Sequence, residues 1–296
     1  MKPFPMNDHK KGLVLTTIGG LALSFDVPLV KLADGELWSV VALRSVVTFA
    51  AGILLWLVLG QLSRTGRPAL VPGKAGMLAA LCYGVSTMTF LGAVFHTATA
   101  NVVFIIAFTP MFAALLGWIV MKEVPSPSTV ATMAVMVAGV GLIVAGGLQS
   151  GGLFGDILAL LTSALLAGAI TIARKTRSDM GFVPLVATLL PALIGLGFVA
   201  SNGFSVEAPV WVIFDGAVMI PLAFWCLATG PRYLTGPEVG MFYLLETILA
   251  PVWVWMIFAE VPAPQALAGG AILVLALVTH SAWRMRRAAR PAVHTT

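Results

Sequence analysis

The sequence predicts an all-α integral membrane protein of ten transmembrane helices, arranged as two five-helix repeats of inverted topology. Three observations lead there. Of 296 residues, 59% are hydrophobic and 10% charged, and the mean hydropathy is +1.00. A soluble domain carries roughly 25% charge, so there is too little polar surface here to coat a water-soluble globule. Ten apolar stretches each approach the ~20 residues needed to cross a bilayer. A short segment from the middle of the chain also returns near its end.

The stretches run over residues 12–30, 37–59, 74–95, 98–120, 128–146, 153–173, 183–200, 210–229, 238–258 and 264–283. The first follows a basic N-terminal segment with no A-x-A cleavage site, so it reads as a retained helix rather than a removed signal peptide. Pro, Gly and charge mark the connections, as in KLADGE, KEVPSP, RKTRSDMG and EVPAP. Most connections are short, so successive helices are antiparallel neighbours, and no stretch is left for a soluble domain. Cys82 and Cys226 lie inside apolar runs and read as small buried hydrophobes.

Charge tests the count. With ten spans, fifteen of the seventeen Lys and Arg fall on the side of the N-terminus. They are Lys2, Lys10, Lys11, Arg64, Arg67, Lys74, Lys122, Arg174, Lys175, Arg177, Arg232, Arg284, Arg286, Arg287 and Arg290. Only Lys31 falls on the other side, and Arg44 lies within the second span. Under the positive-inside rule both termini are expected in the cytoplasm of a bacterial inner (plasma) membrane protein. The net charge of +5 does not signal nucleic acid, because the basic residues sit between apolar runs and form no polar-interleaved patch.

The returning segment is Glu123-Val124-Pro125-Ser126-Pro127, which recurs 137 residues later as Glu260-Val261-Pro262-Ala263-Pro264. The same shift sets Asn101-Val102 on Glu238-Val239. Helices four and five therefore match nine and ten, and the repeats are expected over residues 12–146 and 153–283. Five is odd, so the second copy enters the membrane from the opposite side. Inverted repeats are a mark of secondary transporters, whose two halves exchange conformations to alternate access.

The chain resembles the drug/metabolite transporter superfamily, in its ten-helix branch of paired EamA domains. The residues that carry the resemblance are Leu43-Arg44-Ser45, Thr109-Pro110-Met111-Phe112-Ala113-Ala114 running to Glu123, and Leu245-Glu246-Thr247 running to Glu260. Within that superfamily it is most similar to bacterial exporters of aromatic amino acids. The resemblance implies export of a small molecule. One departure concerns helix nine, where the family's Leu-Glu-Pro reads Leu245-Glu246-Thr247 and the proline stands at Pro251.

Ionisable groups inside spans are costly and mark candidate sites. Glu246, the deepest, is expected to meet a substrate ammonium or to exchange a proton; packing is the alternative. Asp26 is a candidate gating contact or an interfacial ion pair, and Arg44 reads as a snorkelling residue. Glu238 reads as a cap. Tyr83, Ser86, Thr87 and Phe90 share one face of helix three, a stripe that suits either a substrate cavity or interhelical packing. Asn101, Trp225 and Tyr243 extend that lining. Pro110, Pro221 and Pro251 are expected to bend helices four, eight and nine beside the pathway. His96 and His280 lie near span ends and read as interfacial.

No His/Cys/Asp/Glu set has metal-ligand spacing, and no nucleotide-binding or hydrolase motif occurs. The expectation is a carrier without cofactor, not an enzyme. It would move neutral amino acids, aromatic ones included, and related small metabolites or drugs outward by alternating access. Its partners are a small-molecule substrate and the bilayer, and a monomer is compatible with the pattern. Rival substrates are nucleosides and cationic drugs. A membrane-embedded lipid-modifying enzyme is the rival from another class.

Overall fold

The computed structural model describes residues 6–62, 69–176, 180–229, 233–234 and 236–288. Among these the regular elements are all helices, forming ten spans. Nine are long and apolar enough to cross a membrane; in span 9 the described apolar stretch is Phe242–Phe258. Lys2, Arg64, Arg67, Arg177, Arg232 and Arg290, used in the charge count, lie outside the described residues.

Span 1 comprises Met6–Ser24 and Asp26–Leu32, span 2 Leu37–Leu62, span 3 Gly73–His96, span 4 Thr99–Ile106 and Thr109–Met121, and span 5 Pro127–Ser150. Span 6 is Leu153–Thr176, span 7 Val183–Ala187 and Leu189–Asn202, span 8 Pro209–Thr229 with a π-helical turn at Asp215–Met219, span 9 Gly236–Phe258 and span 10 Pro264–Ala288. The face carrying the N-terminus is called the N face below, the opposite one the far face.

Proline explains the breaks. It offers no N–H to the carbonyl four residues before it, and its ring crowds that carbonyl. The first segments of spans 1, 4 and 7 end at Ser24, Ile106 and Ala187, each four residues before Pro28, Pro110 or Pro191. In span 8, Ala217, the corresponding residue for Pro221, lies within the wider π turn. Pro251 sits inside a continuous helix, so span 9 is uninterrupted where spans 1, 4 and 7 are broken.

The sequence repeat is a backbone repeat. Span 4 ends at Met121 and span 9 at Phe258; span 5 starts at Pro127 and span 10 at Pro264. All are separated by 137 residues. The residue that ends each helix, Lys122 or Ala259, is left-handed, with φ 62° and 54°. Packing follows the same symmetry. Span 3 lies on 6 as span 8 lies on 1, and span 4 lies on 6 as span 9 lies on 1. Spans 2 and 7, 4 and 9, and 5 and 10 pair with their own counterparts. At the crossing of 5 and 10, Gly139 and Gly269 face each other's carbonyl so closely that a Cβ on Gly269 would come 2.5 Å from the Gly139 oxygen.

A left-handed alanine costs about 1–2 kcal/mol that glycine escapes. Ala259→Gly is therefore expected to stabilise the protein by about 1 kcal/mol, read as a higher unfolding temperature in detergent. An unchanged or lower temperature would show that the turn is not strained.

The core is uneven across the membrane. The largest cluster draws on the far halves of several spans, including Val27, Val30, Val41, Leu91, Val102, Ala159, Val212 and Val254. Toward the N face two small clusters stand apart, one of Leu23, Leu185, Ile220 and Leu227, the other of Ala79, Ala169 and Val183.

The far face is also laced by hydrogen bonds. Gly35 bridges Val206. The Glu36 amide donates to Ser205 O at 2.9 Å, and the Glu207 amide to Asp34 O at 3.0 Å. Trp38 stacks on Phe198 with centroids 4.2 Å apart.

Candidate functional site

The break in span 1 places Asp26 at the start of a new helical segment, where a carboxylate suits the positive end of the helix. Span 9 holds that break. Phe25 stacks on Trp253 at 5.1 Å, and the indole N–H of Trp253 donates to Ser24 Oγ at 3.1 Å. Arg44 of span 2 reaches between Asp26 and the π turn of span 8. Its Nη2 donates to both Asp26 oxygens at 2.7 Å, and its Nε donates to Asp215 Oδ2 at 2.8 Å. The guanidinium carbon also sits 6.0 Å from the centroid of the Phe90 ring. Asp26, Arg44 and Asp215 are all buried.

The π turn has a local purpose. It widens span 8 by one residue at Asp215 and presents Gly216, which has no side chain, to span 2. A Cβ there would come 2.9 Å from the Arg44 carbonyl and from Thr48 Oγ1. Such turns are frequent at functional sites. Asp215 Oδ1, Thr48 Oγ1 and Ser45 Oγ are buried without a hydrogen-bond partner, so the cluster keeps acceptor capacity that the protein itself does not fill.

Glu246 of span 9 lies deeper, within electrostatic reach of Asp26 and Arg44. Arg44 is thus shared by two carboxylates, with a third within electrostatic reach. Tyr243, three residues earlier on the same face, lies within electrostatic reach of Glu246 and of Tyr83 of span 3. Tyr243 is 43% exposed, although its face of span 9 is the one that buries Thr247 and Ala250 rather than the outward one of Ile248, Val252 and Trp255.

The other expected site residues are dispersed. The hydroxyls of Ser86 and Thr87 donate back to the Tyr83 carbonyl at 2.8 and 3.0 Å, which occupies their protons within span 3. Phe90 is buried against Arg44. Asn101 is part of a second polar cluster near the far face, donating to Asp156 Oδ1 at 3.0 Å. Thr97 donates to the same oxygen at 2.8 Å. Trp225 is exposed on span 8.

His96 Nδ1 bonds Gly92 O at 2.7 Å, and His280 Nδ1 bonds Thr132 Oγ1 at 3.2 Å. The Glu238 side chain lies outside the described residues. Cys82 and Cys226 are free thiols. Among the described residues no three His, Cys, Asp or Glu are grouped to hold a metal.

Two buried carboxylates escaped the sequence reading. Asp156 and Asp215 stand three and six residues from the far ends of their spans, and at that depth an acid passes for a helix-terminal residue. The available signal was the lone Arg44, an interior cation that demands buried acids around it.

Residues 10–145 match the EamA-like transporter family. A comparison with curated proteins finds no match. A solved structure described only as "Crystal structure of protein" superposes with a TM-score of 0.62 at 15% identity, covering 90% of this chain and 98% of that one. At that identity the likeness is one of fold.

Proposed function

We propose that this protein is a secondary carrier that exports neutral amino acids, aromatic ones included, across a bacterial inner membrane by alternating access, with both termini in the cytoplasm. The observation that carries the reading is the charge imbalance of the interior. Asp26 and Asp215 bond Arg44 and Glu246 lies within its electrostatic reach, and Arg44, two turns inside span 2, sits deeper in its span than any other described Lys or Arg. Uncompensated negative charge in a low-dielectric interior calls for a cation. A substrate ammonium or a proton provides one.

Tyr83 and Tyr243 would flank an aromatic side chain near Glu246, with Phe90 above them. The substrate carboxylate would meet the N-terminal end of the Thr109–Met121 segment, where the helix dipole favours an anion. Ser86, Thr87, Asn101 and Trp225 belong to this lining only if they turn or shift in another state. Asp26 would gate, and the breaks at Pro110 and Pro221 would act as hinges, with Pro251 a weaker flexing point. The repeats over 12–146 and 153–283 would be the two moving halves. The same imbalance favours a second class of substrate, cationic drugs, which need no carboxylate partner.

Counterflow in proteoliposomes decides. Vesicles preloaded with unlabelled phenylalanine are expected to accumulate labelled phenylalanine several-fold over protein-free vesicles, saturably. Counterflow of a labelled cationic drug but of no amino acid would move the reading to the second class. No saturable counterflow across amino acids, nucleosides and cationic drugs would overturn it.

A further inference from the structure

Glu123 and Glu260 open the two copies of the repeated segment, and each follows the left-handed residue that ends its helix. Each also pairs with a cation near the end of a span from the other repeat. Glu260 Oε2 meets Lys31 Nζ at the end of span 1, on the far face. Glu123 Oε2 accepts from Arg174 Nη2 at 2.8 Å at the end of span 6, on the N face. Spans 1 and 6 are counterparts, so the two ion pairs are one device built twice.

The two copies differ in their state. Glu260 has a further contact, since its Oε1 accepts from the Thr99 amide at 2.8 Å and so caps the first residue of span 4. The side chains of Lys31 and Glu260 are 22% and 27% exposed. Glu123 and Arg174 are 54% and 50% exposed, and they border an open cavity of about 390 Å³ that also touches Ser126, Thr129 and Trp283. The position 137 residues after Thr99 is Gly236, the first residue of span 9.

We propose that Glu260 and Glu123 are the alternating latches of the two faces. Glu260 with Lys31 shuts the far face by capping span 4 at Thr99. In the opposite state Glu123 with Arg174 shuts the N face by capping span 9 at Gly236. This rests on the carrier reading above.

The physics suits a latch. A carboxylate on a helix N-terminus gains from both the orphan N–H groups and the helix dipole, and a neighbouring cation holds it there. The gain exists only while the helix end is within reach, so it appears and vanishes with closure. An exposed pair such as Glu123–Arg174 contributes little by itself, which leaves the N face free to stay open. Because the two latches are chemically alike, the two states stay close in free energy, as a carrier needs.

The test uses the full chain in proteoliposomes, with Cys82→Ala and Cys226→Ala. Spin labels placed at Glu207→Cys and Leu267→Cys report the far face. A second pair at Lys10→Cys and Lys175→Cys reports the N face. Distance distributions then give the share of each state. Glu260→Gln is expected to raise the far-open share on the order of tenfold, the loss of one charged cap. Lys31→Gln is the second variant, and it should shift the distribution the same way if Glu260→Gln fails to fold.

Adding Glu123→Gln to Glu260→Gln should return the distribution toward wild type, because it weakens the rival state equally. A merely structural role would make the two substitutions accumulate rather than cancel. Wild-type protein that visits both states while neither glutamine variant shifts them, or both shift them alike, overturns the latches alone. Wild-type protein that shows a single state with and without every transport candidate overturns the latches and the carrier reading together.

Discussion

Arg44→Met is expected to cost about 3–5 kcal/mol and to leave little folded protein, because it strands two buried carboxylates without a counter-charge. Asp26 and Asp215 come from spans 1 and 8, and Arg44 from span 2 is the group that joins them. Methionine keeps the length of the side chain but offers neither charge nor N–H. The measurement is the yield of monodisperse protein in detergent and its unfolding temperature. Asp26→Asn and Asp215→Asn added to Arg44→Met remove the stranded charges and are expected to recover most of the loss. If Arg44→Met alone unfolds at the wild-type temperature, the triad is not a stabilising link among spans 1, 2 and 8. In the recovered triple variant, transport would still be lost if the charges serve the cargo, so stability and flux separate.

Glu246→Gln is expected to abolish the dependence of flux on a pH gradient while leaving equilibrium exchange partly intact. Glutamine preserves shape and hydrogen bonding but binds no exchangeable proton. In wild-type protein, Glu246 would hold a proton in one access state and a substrate ammonium in the other, which is proton/substrate antiport. Asp26 and Arg44 lie within its electrostatic reach, so its charge is sensed by the cluster that ties spans 1, 2 and 8 together. Flux of labelled substrate into proteoliposomes, with and without an imposed pH gradient, reads this out. A wild type indifferent to the gradient means passive export. A gradient response unchanged in Glu246→Gln moves coupling to another carboxylate, and Asp215, with its unpartnered Oδ1, stands with Asp26 as the next to replace.

The architecture was legible because its causes are local or periodic. Twenty apolar residues in a row must be helical in lipid, where every backbone polar group has to be satisfied within the segment. The ten runs therefore followed from composition alone. The repeat was legible because Glu123-Val124-Pro125 and Glu260-Val261-Pro262 are strings that can be compared, and the matching helix ends at Met121 and Phe258 carry the same shift. Proline chemistry marked Pro110 and Pro221. The same rule applied to Pro28 and Pro191 would have found the breaks in spans 1 and 7. Pro251 shows its limit, since a helix held by neighbours can absorb one lost hydrogen bond and remain continuous.

Tertiary structure alone decided which polar groups meet. Asp26 and Arg44 are 18 residues apart and Arg44 and Asp215 are 171 apart, and no periodicity links them. Asp156 with Asn101 and Glu260 with Lys31 are likewise pairings between distant spans. Span hydropathy says how deep a residue sits but not which way it points around the helix axis. That azimuth is set by packing against other spans, so an interior ion pair becomes visible only once the helices are assembled. The sequence by itself settled the solvent, the number of spans and their twofold repetition, because each follows from the bilayer and from parity. The sharing of Arg44 by two acids and the closed far face were decided by assembly, because they depend on contacts between segments far apart in the chain.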